Sequence, residues 1–141
     1  MIILNLPITT AVTALVTPSF QLRAGSQGSP DSLTLQGTFT YGSGGTTADA
    51  WVQTSLDGGV TWVDIANFHF TTANARLVYN LSPNTPVTTQ YTATDGTLGV
   101  NTSKDGIQGN MFRVKYTTTG TYATSTVMRI DAIIDGLTTV P

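Results

Sequence analysis

Apolar and polar residues alternate along most of this chain with the two-residue period of β-strands. One face of residues 32–41 carries four apolar side chains: Leu33, Leu35, Phe39 and Tyr41. The same spacing gives a wholly apolar face near the C-terminus: Met128, Ile130, Ala132 and Ile134. These two segments are therefore predicted to be strands with one face in a core.

Short runs of strand-forming residues are separated by clusters of Gly, Pro, Asn and Asp about every ten residues, as in a sandwich or barrel. We find no convincing apolar stripe at helical spacing, so no helix longer than about two turns is expected. The prediction is an all-β fold: an antiparallel β-sandwich, a jelly roll of about eight strands.

Two local expectations follow from the same pattern. The segment TWVDIANFHFTT predicts either one long bent strand or two short ones around Asn67. The segment from Met111 to Ile134 predicts a hairpin whose turn is TTGT.

The N-terminal segment, MIILNLPITTAVTALV, is apolar but lacks the positive start of a signal peptide, and Asn5 and Pro7 interrupt it. It is also shorter than the roughly 20 apolar residues of a membrane span. We expect an extended arm or an edge strand, since an edge strand tolerates Pro7. The predicted organisation is an arm or edge strand over residues 1–30, a sandwich over 31–136 and a tail over 137–141.

Composition narrows the classes of function. The chain has 28 threonines and no glutamate, and its net charge is −2. A nucleic-acid-binding protein would need a basic stripe, and the six basic residues are scattered. Without cysteine there can be no disulfide, no thiol catalysis and no Cys-ligated metal. The lack of disulfides in a domain of this size favours assembly in a reducing cytoplasm.

The segment SLDGGVTW, residues 55–62, resembles the Asp-box of sialidases and other β-propeller proteins. Its pattern positions are Ser55, Asp57, Gly59, Thr61 and Trp62. In that family the box closes a hairpin away from the active site, so the resemblance implies a structural turn. Asp57 can accept bonds from turn N–H groups, and glycines permit positive φ. A whole propeller needs roughly 40 residues per blade, so it does not fit in this chain.

Candidate chemistry is sparse. His69 is the only histidine, within a strand and on the side opposite to Phe68 and Phe70, and no GxSxG motif accompanies it. Most aspartates precede Gly or follow Pro, which is typical of turns; the exceptions are Asp49, Asp64 and Asp131. The sequence predicts no enzymatic activity, no cofactor and no metal site.

The segments VQTSLDGGVTWVDIANFHFTT and RVKYTTTGTYATSTVMRIDA resemble small structural proteins of tailed bacteriophages, above all the jelly-roll cement, or decoration, proteins. The resemblance covers roughly residues 51–135. It implies a virion protein, made in the host bacterial cytoplasm, that binds the major capsid protein on the shell exterior. It also implies a homo-oligomer, with a dimer favoured and a trimer possible. The net charge and the short apolar run predict no nucleic-acid or membrane partner.

Partner contacts are expected from the apolar N-terminal segment, from the tail, and from one sheet face. The residues in question are Ile2, Ile3, Leu4, Leu6, Trp51 and His69. The alternative function is a carbohydrate-binding or host-recognition module of a phage tail or fibre. Such a module would gather several aromatic side chains on one exposed face.

Overall fold

Ten β-strands and no helix make up the regular structure of residues 1–22 and 32–135, which the computed structural model describes. The strands are β1 (Ile2–Pro7), β2 (Val12–Val16), β3 (Ser32–Thr40), β4 (Ser43–Gly44), β5 (Thr47–Ser55), β6 (Val63–Phe70), β7 (Ala75–Leu81), β8 (Met111–Thr119), β9 (Tyr122–Ala123) and β10 (Val127–Asp135).

Eight of these strands form two antiparallel four-stranded sheets. The first sheet has the order β1-β10-β3-β7 and the second has the order β2-β8-β5-β6, while β4 and β9 pair with each other. The order is that of a double ribbon in which β1 pairs with β10, β2 with β8, β3 with β7 and β5 with β6. Rolling that ribbon into two layers gives a jelly roll, so the predicted fold is confirmed.

The predicted C-terminal hairpin is wrong, because β8 and β10 lie in different sheets. After β8 the chain turns into β9, and Thr124 and Ser125 then adopt φ angles of 57° and 61°. The chain thereby crosses to the first sheet, where β10 lies between β1 and β3. Alternation identified both strands and their buried faces, but it carries no information about which sheet a strand joins.

The core lies between the two sheets and is filled by the faces that alternation predicts. Leu33, Leu35 and Phe39 of β3 are at most 1% exposed, and Met128 and Ile130 of β10 are fully buried. Aromatic rings occupy one end of this layer: Phe39 stacks on Phe70 at a centroid distance of 5.0 Å and meets Tyr122 edge-on at 5.6 Å. The two sheets are thus held together by a continuous apolar layer.

The N-terminal segment belongs to the sandwich. Strand β1 is an edge strand of the first sheet, and β2 is an edge strand of the second. Of the two alternatives for this segment, the structure shows edge strands. The predicted tail, residues 137–141, lies outside the described residues.

A long connection without regular strands, residues 82–110, joins β7 to β8 and packs on the second sheet. Its residues 102–104 run along the free edge of β6, where Asn67 N donates to Thr102 O and Lys104 N donates to Ile65 O. We call residues 82–110 the covering segment. The segment TWVDIANFHFTT, for which one strand or two were expected, contains the single strand β6.

Gly37 faces the ring of Phe68 across the core, and it provides a test of the packing there. A Cβ atom there would stand 2.5 Å from a ring carbon of Phe68 on the opposite sheet. Replacing Gly37 with Ala should overpack the core and lower the free energy of unfolding by about 1–3 kcal/mol.

The matched control is Gly99→Ala, because the nearest atom to its Cβ would be 3.7 Å away, at ordinary contact distance. Urea unfolding of both variants measures the two free energies of unfolding. A Gly37→Ala protein as stable as Gly99→Ala would contradict the described packing.

Candidate functional site

The predicted structural turn joins β5 to β6, and Asp57 is at its centre. The Asp57 carboxylate accepts hydrogen bonds from Thr61 N at 2.8 Å and Val60 N at 3.1 Å, and from the Thr61 hydroxyl at 2.6 Å. Ser55 donates its hydroxyl to Asp57 at 2.8 Å and accepts from Gly59 N at 2.8 Å. Gly59 has a φ of 96°, as the turn requires. The polar groups of the turn are therefore hydrogen-bonded to one another.

These bonds favour the charged form of Asp57. The hydroxyl and backbone N–H of Thr61, followed by the hydroxyl of Ser55, lower the pKa of Asp57 from 3.8 to about 2. Trp62 lies beneath Arg113, whose guanidinium carbon is 4.4 Å from the centre of the indole ring. All five Asp-box positions thus act within the turn or against their own sheet.

The outer face of the second sheet, which we call the covered face, is a lattice of polar side chains. Three cross-strand rows run over β8, β5 and β6. The rows are Thr117–Asp49–His69, Lys115–Trp51–Asn67 and Arg113–Gln53–Asp64. The covering segment lies over these rows and bonds to them.

Asp64 is the buried centre of this arrangement. Its carboxylate accepts hydrogen bonds from three consecutive backbone N–H groups of the covering segment, those of Gly96, Thr97 and Leu98, at 2.8–3.1 Å. Gln53 Nε2 donates to the same carboxylate at 2.7 Å. Three successive N–H groups around one carboxylate form an anion-binding concavity, here filled by the protein's own side chain.

A β-bulge brings Asp64 to this face. The register with β5 passes from Val52–Ala66 to Gln53–Asp64, so Ile65 is an extra residue with no partner on β5. Strict alternation would have placed Asp64 on the core side with Ala66. The bulge turns it outward to lie beside Gln53.

A second carboxylate, Asp95, joins the covering segment to β5 and β8. Its Oδ1 accepts from Gln53 Nε2 at 2.7 Å, from Lys115 Nζ at 2.6 Å and from Arg113 at 3.3 Å. Partial desolvation raises the pKa of Asp95, but the hydrogen bonds from Lys115 and Gln53 and the two positive charges outweigh it and lower that pKa overall. Because Asp95 directly precedes Gly96, the sequence predicts only a turn at Asp95 and gives no sign of this cluster.

His69 lies at the other end of the covered face. Its Nδ1 is 2.7 Å from Asp49 Oδ1, and its backbone N–H donates to Asn101 Oδ1 at 2.9 Å. Asn67 completes the link, because its Oδ1 accepts from Asn101 N at 2.8 Å. His69 is on the side of the strand opposite to Phe68 and Phe70, as predicted. Through Asn101, His69 and Asn67 bind one end of the covering segment to the sheet.

The outer face of the first sheet lies open by contrast, and we call it the open face. Its central residues are Thr34, Gln36, Arg129, Asp131 and Ile133. Ile133 is 70% exposed. Arg129 and Asp131 form a bidentate ion pair with both distances at 2.8 Å, which lowers the pKa of Asp131. Within the described residues, no segment of the chain lies over this face.

The structure separates the residues that the sequence proposed as partner contacts. Ile3 and Leu4 are buried in this domain's own core, Leu6 packs against that core, and Ile2 is half exposed. Ile3 and Leu4 are therefore not available to a partner in this conformation. Trp51 is partly buried and donates its indole N–H to Leu98 O at 3.0 Å. Contact of Ile2 or His69 with a partner stays a prediction.

The aromatic side chains do not form an exposed platform in the described part of the chain. Trp51 lies against the covering segment, Trp62 lies under Arg113, and Tyr122 is a core residue. Tyr79 donates its hydroxyl to Asn67 O, and Lys104 Nζ stands 5.0 Å from the centre of the Tyr91 ring. Each of these aromatic rings contacts its own chain.

A groove of about 240 Å³ lies between the β1–β2 connection and β8. Its volume is below the roughly 300–1,000 Å³ of typical small-molecule sites. In residues 1–22 and 32–135 we find no cluster of three or more potential metal ligands. The same residues contain no helix long and apolar enough to cross a bilayer.

No protein-family model, no curated protein and no solved structure matches this chain. Its geometry and its sequence pattern are therefore the observations on which a function can be argued.

Replacing Asp64 tests the anchor of the covering segment. Asp64→Ala would leave one buried and two partly buried N–H groups without their acceptor, so we expect a loss of about 2–4 kcal/mol in the free energy of unfolding. Amide hydrogen exchange should accelerate most at residues 96–98. The control is Asp131→Asn on the open face, where a partly exposed ion pair should cost about 1 kcal/mol or less. Equal effects of the two variants would contradict the anchoring role.

Replacing Asp57 tests the turn through its pH dependence. The folded-state pKa of Asp57 is lowered from 3.8 to about 2, so its contribution to stability is present above pH 3.8 and is lost as the pH falls through 2. Asp57→Asn should melt below wild type near neutral pH, and the difference should shrink between these two values. Val60→Ala, a change at an exposed position in the same turn, should melt like wild type throughout. A difference that does not vary with pH would argue against the charged network.

Proposed function

We propose that this protein is a cement, or decoration, protein of a phage virion. It binds the outside of the capsid shell and stabilises contacts between major capsid protein subunits. The observation that carries the proposal is the inequality of the two sheet faces: the protein's own covering segment closes one, and the other is open in the described structure. An open sheet face without a pocket suits a large protein surface better than a small molecule.

The chemistry of the open face supports docking to a folded surface. Thr34 and Gln36 supply short polar groups, Ile133 supplies exposed apolar area, and Arg129 and Asp131 already neutralise each other. Burying apolar area is favourable at about 25 cal/mol per Å² before the costs of association. Because the ion pair is bidentate within one strand, it can be covered without leaving either charge unpaired.

Rigidity supports the same proposal. A cement protein must not lose binding free energy by becoming ordered only on binding. The Asp57 turn orders the connection from β5 to β6, and the Asp64 anchor holds the covering segment. Many copies on one shell can act together through individually weak contacts. A homo-oligomer, with a dimer favoured and a trimer possible, fits a closed symmetric arrangement.

The second candidate, a carbohydrate-binding module, gains no support from the described aromatic residues. Sugar stacking needs exposed ring faces gathered together, whereas Trp51 and Trp62 are each packed on their own chain. The capsid role is therefore the function we propose, with the virion exterior as its location.

Co-sedimentation with empty shells tests the proposal. The shells are assembled from the major capsid protein of the phage genome that encodes this chain. Wild-type protein should pellet with them and saturate at a fixed ratio to capsid subunits. Ile133→Lys, which puts a charge on the open face, should weaken binding about tenfold or more, because a fully buried apolar side chain contributes roughly 1.5–3 kcal/mol.

The matched control is Val60→Lys, the same charge change at a 79% exposed position in the Asp57 turn, away from the open face. It should bind like wild type. Failure of the wild-type protein to pellet with shells, together with binding on a glycan array, would overturn the proposal in favour of the second candidate.

A further inference from the structure

The two sheets have four edge strands, and three of them are unsuited to pairing with another chain. The edge of β6 is already bonded to residues 102–104 of the covering segment. Strand β1 contains Pro7 and an irregular register between Ile2 and Leu4. Strand β2 is five residues long, has a register shift, and holds Ala14 at a φ of 53°. Bulges, prolines and short lengths are the usual means of protecting a sheet edge.

Strand β7 has none of these features. Its seven residues, ARLVYNL, contain no Pro, Gly or Lys, and its register with β3 is unbroken from Leu81–Leu33 to Ala75–Phe39. Its other side has no backbone partner within the described part of the chain. A regular, unprotected edge strand is a template for β-strand addition.

The side chains of β7 show that this edge is open as well as unpaired. Its core-facing residues Leu77 and Tyr79 are only partly buried. On the neighbouring strand β3, Leu33 and Leu35 face the same core and are fully buried. Apolar area therefore remains accessible along the rim between β7 and β6, and an added strand would cover it.

We propose that β7 is a homodimer seam. It pairs antiparallel with β7 of a second copy across a two-fold axis at Val78 and joins the two first sheets into one eight-stranded sheet. Val78, which is 57% exposed, then meets its own counterpart in an apolar contact.

Polar complementarity selects this occupant and this register. With the axis at Val78, Arg76 lies opposite Asn80 of the second copy. Asn80 donates its Nδ2 to Thr34 at 2.7 Å, so its amide oxygen is the group that can accept from the guanidinium. An axis at Arg76 would instead set the strand's one charged side chain against itself. The seam is thus self-complementary in hydrogen bonding and in apolar contact.

The size of the seam sets its strength. A contact along seven residues covers less than the roughly 800 Å² per partner of a standard interface, so the free dimer should dissociate on dilution. This inference does not depend on the proposed function, because it concerns the protein without a shell.

Disulfide trapping tests the seam, and the absence of cysteine from the chain removes any background. Val78→Cys should form a cross-linked dimer under mild oxidation, because residues directly opposite in an antiparallel pair have Cα atoms about 4.5–5.5 Å apart, within disulfide range. Ile133→Cys is the control, since it is more exposed than Val78 but lies on β10, away from the edge. Cross-linking of Val78→Cys no faster than that of Ile133→Cys overturns the proposal.

Sedimentation velocity gives a second measurement without cysteines. At the highest soluble concentration, wild type should sediment faster than Val78→Lys, which sets two positive charges against each other at the axis. Val60→Lys should behave like wild type, and circular dichroism should show all three folded. Equal sedimentation of wild type and Val78→Lys overturns the proposal.

Discussion

The structure of the second sheet depends on one buried carboxylate. Asp64 accepts hydrogen bonds from three successive N–H groups of the covering segment, and without it those partly or fully buried groups would lose their acceptor. Gln53 connects it to Asp95 and so to the positive charges of β8. These bonds hold the covering segment, a 29-residue connection with no strands of its own, against the second sheet as a third layer. The closure of one sheet face, and hence the inequality of the two faces, follows from this interaction.

The difference between the covered face and the open face makes the two sides of the molecule suited to different contacts. One face is occupied by the chain itself, the open face offers threonines and an exposed isoleucine, and one edge, β7, is ready for a further strand. Pairing through β7 uses the backbone edge of that strand and leaves the part of the open face on β10 and β3 accessible, so docking and pairing can occur together. A protein of this kind could link neighbouring positions on a larger surface while its own fold stays unchanged.

Much of the fold could be predicted from the sequence, because burial in a sandwich follows period-two alternation. The core faces of β3 and β10 were identified in this way, and the Asp-box turn was identified from its motif. The covered face could not be found, because the bulge at Ile65 reverses the alternation and turns Asp64 outward. The predicted hairpin between β8 and β10 is wrong because, in a jelly roll, most strands pair with partners that are distant in sequence rather than with the next strand along the chain. For Asp95 the Asp-Gly pair indicated a turn, and only tertiary contact with Lys115 shows its second role.

The position of β10 has a consequence for how this chain reaches its fold. It is the last strand of the described residues, yet it lies inside the first sheet, between β1 and β3. During synthesis β1 must therefore wait, without its neighbour, until residues 127–135 have left the ribosome. Folds whose pairings join distant parts of the chain form slowly, and their unpaired strands are prone to aggregate meanwhile. The nascent chain is therefore the form most exposed to aggregation.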